Sequence, residues 1–219
     1  VQPIYIAHPI KIFIVSRIQM TDPVFNAILQ RRSLRRYHPE PIPRVIIEQL
    51  LTAATWAPSA HNRQPWRFAV IESPQQKHLL AQAMGARLRE DLEADQVDEA
   101  VITADVQRSY ERLTLAPVVI LLCLSMLEMD VYRDPRRNQH EYVMAVQSTA
   151  MAGQNLLLTA HELGLGACWV CAPLFCPEVV SAALQLPDDW QPQGIITLGY
   201  PAQSREKTRH PLEKSVVWR

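Results

Sequence analysis

The sequence predicts one domain that mixes helices with strands. Apolar residues recur at i, i+3, i+4 spacing in several segments. Short apolar runs bounded by proline, serine and glycine lie between them and read as strands. Neither an internal repeat nor an interdomain linker interrupts the 219 residues, and 48% apolar against 20% charged residues is enough for a hydrophobic core.

Asp22 is placed to cap a first helix with Pro23 at its first position, and Phe25, Ile28 and Leu29 give that helix its apolar face. It is expected to end near Gln30–Arg32. A loop with Pro39, Pro41 and Pro43 follows, and Pro43 opens a second helix through Trp56, with Val45, Ile46, Leu50, Leu51 and Ala54 on its buried side. Pro58 stops it. Trp66–Ile71 reads as a strand with Phe68 and Val70 on one face, and Ser73-Pro74 starts a helix to about Met84. Residues 86–115 are charged and helical in character, giving one or two amphipathic helices over the site. Val118–Leu124 is a buried strand, and residues 125–139 read as a polar loop containing Asp134-Pro135. A long helix from about His140 to Leu163 looks apolar on more than one side, as a helix buried between subunits would be, with Gly164 as its C-cap and Leu165 as the hydrophobic contact. A strand at 167–171, a short helix from Pro177 and a strand at 194–200 complete the body, ahead of a polar tail.

Lys+Arg and Asp+Glu both number 22, so the chain lacks the basic footprint of a nucleic-acid-binding protein, although local clusters can still hold a small anion. No apolar stretch reaches the roughly 18 residues of a membrane helix. Cys123, Cys168, Cys171 and Cys176 sit in or beside apolar runs, which predicts reduced thiols and a cytoplasmic protein. Residues 1–19 lack the charged start and small-residue cleavage site of a signal peptide. Two readings stand: an extension ahead of a natural start at Met20, with 20–219 as the single domain, or an arm that packs on the body.

Two segments carry chemistry. In Arg31-Arg32-Ser33-Leu34-Arg35-Arg36, four guanidinium groups within six positions repel one another unless an anion compensates. Their planar forks match phosphate oxygens, and Ser33 adds a donor. A solvated basic face at a helix end is the plainer reading. The loop Ala57-Pro58-Ser59-Ala60-His61-Asn62-Arg63-Gln64-Pro65 is dense in amide and hydroxyl groups, which suits a heterocycle edge offering both acceptors and N–H; it also suits a turn that satisfies its own backbone.

In order along the chain, Arg31-Arg32-Ser33-x-Arg35 and Ala57-Pro58-Ser59-x-x-Asn62-x-Gln64-Pro65-Trp66-x-Phe68 resemble the nitroreductase family. Gln154-Asn155-Leu156-Leu157-Leu158 leading through Leu163-Gly164-Leu165-Gly166 to Cys168-Trp169, then Leu186-Pro187-x-x-Trp190 and Gly199-Tyr200-Pro201, extend the likeness from about Asp22 to the C-terminus. The resemblance implies an α+β fold: a three-layer, nitroreductase-like architecture with a central mixed β-sheet flanked by helices, in an intertwined homodimer with FMN at the interface. It implies that Arg31, Arg32, Ser33 and Arg35 hold the FMN phosphate, ribityl chain and pyrimidine edge. Pro58, Ser59 and Ala60 would come from the partner subunit and pack on the ring, with Asn62 and Gln64 supporting that loop or reaching the flavin. Trp169, Cys171 and Ala172 would face the ring near N5 through backbone groups, and Lys207 and Arg209 would return to the phosphate. Where some members place an Asn and a Lys against the ring, this chain offers Arg108 and Arg112, for which plain surface exposure is the favoured reading.

The implied activity is a two-step transfer of hydride from NADH or NADPH through FMN to a small-molecule electron acceptor: a nitroaromatic, a quinone or an enone. No protein nucleophile is required. Two other readings remain: cofactor biosynthesis of the deazaflavin-associated or dimethylbenzimidazole-synthase kind, and an FMN-binding module without turnover. Cys168-Trp169-Val170-Cys171 reads as a strand, on which residues three apart point to opposite faces, so it is not expected to act as a redox dithiol. No metal site is expected, as there is no second Cys pair or spaced His pair. His140-Glu141 and His161-Glu162 are expected on a helix surface, and His61 in solvent. Gly164-Leu165-Gly166 follows a helix and lacks the rest of a dinucleotide fingerprint.

Overall fold

A computed structural model of the chain describes residues 23–219. The chain divides into two compact units between Arg31 and Arg32. The first holds helix α1 (Pro23–Gln30), where Arg31 N–H closes the last turn on Ala27 O at 3.0 Å. The caps and start assigned to residues 1–22 lie outside the described residues.

The second unit is a sheet between two helical layers. Its elements are α2 (Arg44–Thr55), β1 (Trp66–Ile71), α3 (Pro74–Ala94), α4 (Glu99–Thr114), β2 (Val118–Leu124), α5 (Pro135–Glu162), β3 (Gly166–Val170), α6 (Pro177–Leu184) and β4 (Gln191–Gly199). The strand order is β1-β2-β4-β3, and every pair is antiparallel. The parallel component expected of a mixed sheet is confined to one bridge, Ser33 with Ala167.

β2 organises the core because its two faces are equally apolar. Val118, Ile120 and Leu122 pack with Ile47, Leu50 and Ala54 of α2 and with Ala152, Leu156 and Ala160 of α5. The alternate residues Val119, Leu121 and Cys123 pack with Leu80 and Met84 of α3, Leu113 of α4 and Val180 of α6. A strand buried on both faces reads as a continuous apolar run rather than an alternating one, which is why this strand was legible. Burial alone pushes the Cys123 thiol up to about 12.

Several boundaries moved. In α2 the buried side runs through Ile47, and Val45 is exposed. α3 does not end near Met84 but continues through Gly85 to Ala94. A Cβ built on Gly85 would lie 3.4 Å from Val106 of α4, an ordinary contact, so α3 and α4 pack side by side here. The charged residues 86–115 belong to this helical hairpin: Arg87 pairs with Asp91 and Arg89 with Glu93 along α3, and Arg89 also reaches across to Glu99 of α4. Lys77 is buried and donates to Ala116 O at 2.6 Å and Pro117 O at 3.1 Å, tying α3 to the entry of β2; burial lowers its pKa.

α5 begins at Pro135, five residues before its expected start. Asp134 is its N-cap, accepting from Arg137 N–H at 2.9 Å, and the proline stands at the first position. Its buried stripe is Glu141, Ala145, Ser148, Ala152, Leu156 and Ala160, while Val143, Ala150 and Met151 face solvent within this chain. Glu141 was expected on the surface. It lies instead on the buried stripe, and among the described residues its Oε2 has no hydrogen-bond partner. β4 begins three residues earlier than expected. A bulge opposite Leu122 and Cys123 leaves Gln193 unpaired in the ladder, and its side chain donates to Gln191 O and Pro192 O.

Candidate functional site

Residues 33–37 enter the second unit as a strand-like segment along the head of β3 and the end of β4. Ser33 bridges Ala167, Leu34 N–H donates to Ala167 O at 3.0 Å, and Tyr37 bridges Pro201. His38 N–H donates to Tyr200 O at 2.9 Å, and Ala202 N–H to Arg36 O at 3.0 Å. This part of the basic run is therefore held by backbone bonds to distant chain.

Tyr37 locks it. The phenol oxygen lies 2.5 Å from Leu34 O, 3.0 Å from Thr197 O and 2.8 Å from Thr197 Oγ1. With a single proton to give, it donates to a carbonyl and accepts from the threonine hydroxyl. Its ring fills the space beside two glycines: a Cβ on Gly199 would stand 2.5 Å from Tyr37 Cβ, and one on Gly166 would stand 3.2 Å from its Cε1. Burial drives the tyrosine pKa well above its ordinary value, while the Thr197 hydrogen bond and the charges of Arg35 and Arg112 pull partly the other way. Those two guanidinium groups thus share the neighbourhood of Tyr37. Arg112 is half-buried, not fully surface-exposed as favoured from sequence, whereas Arg108 is exposed and paired with Asp105. Among the described residues, Arg35, Arg36 and Arg112 make no ion pair with a carboxylate. Arg32 and Ser33 are half-buried at the start of this segment; Arg31 closes the first unit.

The second segment is strained. After α2, Ala60–Asn62 forms a single 3-10 turn in which His61 has φ 50° and Asn62 φ 55°, and Gln64 follows at φ 51°. Three non-glycine residues in the left-handed region within four positions are unusual. Ser59 Oγ accepts from Gln64 N–H at 3.1 Å, Asn62 N–H donates to Ser59 O, and Ala60 N–H reaches Ser148 Oγ of α5 at 3.4 Å. Arg63 pairs with Asp130. Arg67 donates to Gln64 O at 3.1 Å, holding the loop to the first residues of β1. Pro58, His61, Asn62 and Gln64 are exposed. The loop's hydrogen bonds run to α5, to Asp130 and to β1, not to the basic segment.

The third element is the end of β3. Trp169 is wedged between α5 and β4: a Cβ on Gly153 would lie 2.2 Å from its Cζ3, and one on Gly194 2.7 Å from its ring. Its indole N–H donates to Cys171 Sγ at 3.0 Å. The tryptophan side chain is therefore committed to packing, while the strand backbone at Trp169 and Val170 pairs with Ile196 and Ile195 of β4. Cys168 is buried and Cys171 exposed, and all four cysteines are free thiols. Ala172 begins a 3-10 turn to Phe175. Lys207 and Arg209 are exposed on the tail, and Arg209 donates to the neighbouring Thr208 O at 3.2 Å. The tail does leave from beside the basic segment, at Pro201 and Ala202.

Sequence reasoning missed Tyr37, Ser148 and Asp130. Tyr37 has a signal in Gly199-Tyr200-Pro201, since the glycine makes room for a large ring. Ser148 and Asp130 are single polar residues whose partners lie far away in sequence, and nothing local marks them.

Comparison with known proteins agrees with this architecture. The family model described as the nitroreductase family matches residues 28–200. A protein of Thermus thermophilus named NADH dehydrogenase is 31% identical over 92% of this chain and 100% of its own length. A relative from Methanothermobacter thermautotrophicus named NADH dehydrogenase/NAD(P)H nitroreductase is 32% identical over 83% of this chain and 78% of its own. Among solved structures, a nitroreductase from Desulfovibrio desulfuricans in complex with FMN superposes with a TM-score of 0.70 at 30% identity, over 90% of this chain and 97% of that one. With its three-layer α+β fold and a family match that spans most of its length, the chain is an oxidoreductase-type protein belonging to the nitroreductase family.

Proposed function

We propose that the chain binds FMN, is reduced by NADH or NADPH, and reduces a small nitroaromatic, quinone or enone acceptor, working as a homodimer. The observation that carries the reading is a group of cations that make no ion pair with a carboxylate among the described residues: Arg35 and Arg36 on a segment held by long-range backbone bonds, and Arg112 of α4, which shares the neighbourhood of Tyr37 with Arg35. A phosphate monoester supplies the missing charge. The FMN carried by the Desulfovibrio desulfuricans relative supports the same cofactor here.

Bound FMN would supply the two-electron chemistry, taking up a hydride from NAD(P)H and passing it to the acceptor. The chain's own residues bind and orient. Arg32, Ser33 and Arg35 would take the phosphate and ribityl oxygens, with Lys207 and Arg209 closing from the tail. Backbone groups at 169–172 would meet the ring edge, their position fixed by the wedged Trp169. The exposed edge of Pro58, Asn62 and Gln64 and the exposed Val143 and Met151 of α5 support a second subunit that brings its own loop onto the ring.

Anaerobic titration of the purified, FMN-loaded protein with NADH and with NADPH tests the reading, followed by a panel of acceptors. Flavin absorbance should bleach and return on adding a quinone, and light scattering should give twice the chain mass. A protein that takes up no FMN ends this reading, and bound FMN that neither nucleotide bleaches favours storage over turnover.

A further inference from the structure

A cavity of about 310 Å³ lies between the α3–α4 hairpin and the turn after β3. Its walls are mainly apolar: Met84, Leu88 and Leu92 of α3, with Ala172, Phe175 and Cys176 across from them. That is the size and lining of a small-molecule site for one or two rings. Phe175 is 73% exposed, a large aromatic that the chain leaves uncovered at this wall.

Charge decides what such a site takes. The cation in the lining, Arg87, is already committed, donating to Asp91 at 2.9 Å and to Glu178 at 2.6 Å. Asp95 also lines the cavity and makes no ion pair among the described residues. It is the C-cap of α3, so its carboxylate stands at the negative end of that helix. With Arg87 set against Asp91, Glu178 and Asp95, the local balance is negative, and an anionic ligand would enter against it.

We propose that this cavity binds a flat apolar ring compound carrying a positive charge, with the rings against Leu88, Leu92 and Phe175 and the cation toward Asp95. The site shares Ala172 with the residues assigned to FMN, but its binding chemistry stands on its own lining and does not require that assignment.

Titration calorimetry on the full-length protein with three probes of one shape tests it: 1-naphthylmethylamine (cationic), 1-naphthalenemethanol (neutral) and 1-naphthoate (anionic). The amine should bind about 10-fold or more tighter than the naphthoate, with the alcohol between them. Asp95→Asn, a change at an exposed cap, should shrink the amine's advantage several-fold and leave the alcohol unchanged. Leu92→Trp should weaken all three by filling the cavity; should thermal melting find this variant unfolded, Asp95→Asn still decides. Equal affinities for the three probes, tighter binding of the naphthoate, or an amine preference that survives Asp95→Asn would each overturn the proposal.

Discussion

The segment from Arg32 to Tyr37 and the loop from Pro58 to Gln64 carry most of the polar groups of the candidate site, and the chain holds them in opposite ways. The first is stitched to β3, β4 and the start of the tail by long-range backbone bonds and by a buried phenol. Arg35 and Arg36 stand exposed on that fixed backbone. The second is held by short-range bonds and two long contacts, with Ser148 and with Asp130, and three of its residues sit in the left-handed region. Such a residue stores about 1–3 kcal/mol unless its surroundings compensate. A rigid segment can hold like charges together while no anion is bound. A strained, exposed loop instead keeps its amides turned outward and gains most when another surface packs on it.

If the first segment is rigid because of its glycine seat, filling that seat should have the largest effect. Gly199→Val places a branched side chain where even a Cβ stands 2.5 Å from Tyr37 and 2.8 Å from Pro117. Urea unfolding should show a loss of about 3 kcal/mol, at the upper end of overpacking costs. A loss below about 1 kcal/mol would mean that the segment repacks and is not rigid. Arg35→Ala tests the projecting charge. It should leave the unfolding midpoint within error and weaken FMN binding by about 2 kcal/mol, roughly 30-fold, as loss of a charge-assisted phosphate contact would. Fluorescence titration with FMN measures this, and the weakening should shrink at high salt.

Tyr37→Phe is smaller and carries a pH signature. Loss of the hydroxyl should cost about 1–2 kcal/mol, since Thr197 and Leu34 lose their partner in a buried setting. In the folded chain the phenol stays protonated well above its ordinary value of about 10, while in the unfolded chain it ionises there. The tyrosine's contribution is therefore whole below pH 10 and declines as pH rises beyond it. Lys77 acts in the opposite sense, because its ammonium is disfavoured in the fold, but it is common to both proteins and cancels in the difference. Wild type minus variant, measured from pH 8 to 11, should shrink at the alkaline end. A constant difference would place Tyr37 in a solvated environment.

The two regions were also unequally legible in the sequence. β1 and β2 have the boundaries their apolar runs suggested, because a strand between flanking turn residues is a local pattern. α5 begins five residues before the start its apolar pattern predicts, because Asp134-Pro135 also suits a loop, although a capping aspartate before a first-position proline is itself a local signal. Glu141 was misplaced for a different reason. Its position on the buried stripe appears only once the helix phase is followed from Ala145 to Ala160, and a carboxylate is the last residue type expected there. The left-handed backbone of His61, Asn62 and Gln64 could not be read at all, since none is a glycine and the strain is imposed by what the loop connects.

That imposed strain gives the smallest and most pointed test of the comparison. Ser59→Ala removes the acceptor for Gln64 N–H and should cost about 1 kcal/mol, as loss of a cap-like side-chain bond does. Gln64→Gly acts on the other side of the balance. Glycine accepts φ 51° without a Cβ penalty of about 1–2 kcal/mol, but it gives back part of that gain as extra freedom in the unfolded chain. The net expectation is a stabilisation of about 0.5 kcal/mol, read as a small rise in the urea midpoint with an unchanged slope. The same change inside the Arg32–Tyr37 segment, at Ser33, should destabilise, because an ordinary extended residue there stores no strain for glycine to release. If Gln64→Gly destabilises as well, its side chain contributes more than its backbone costs, and the loop belongs with the rigid segment.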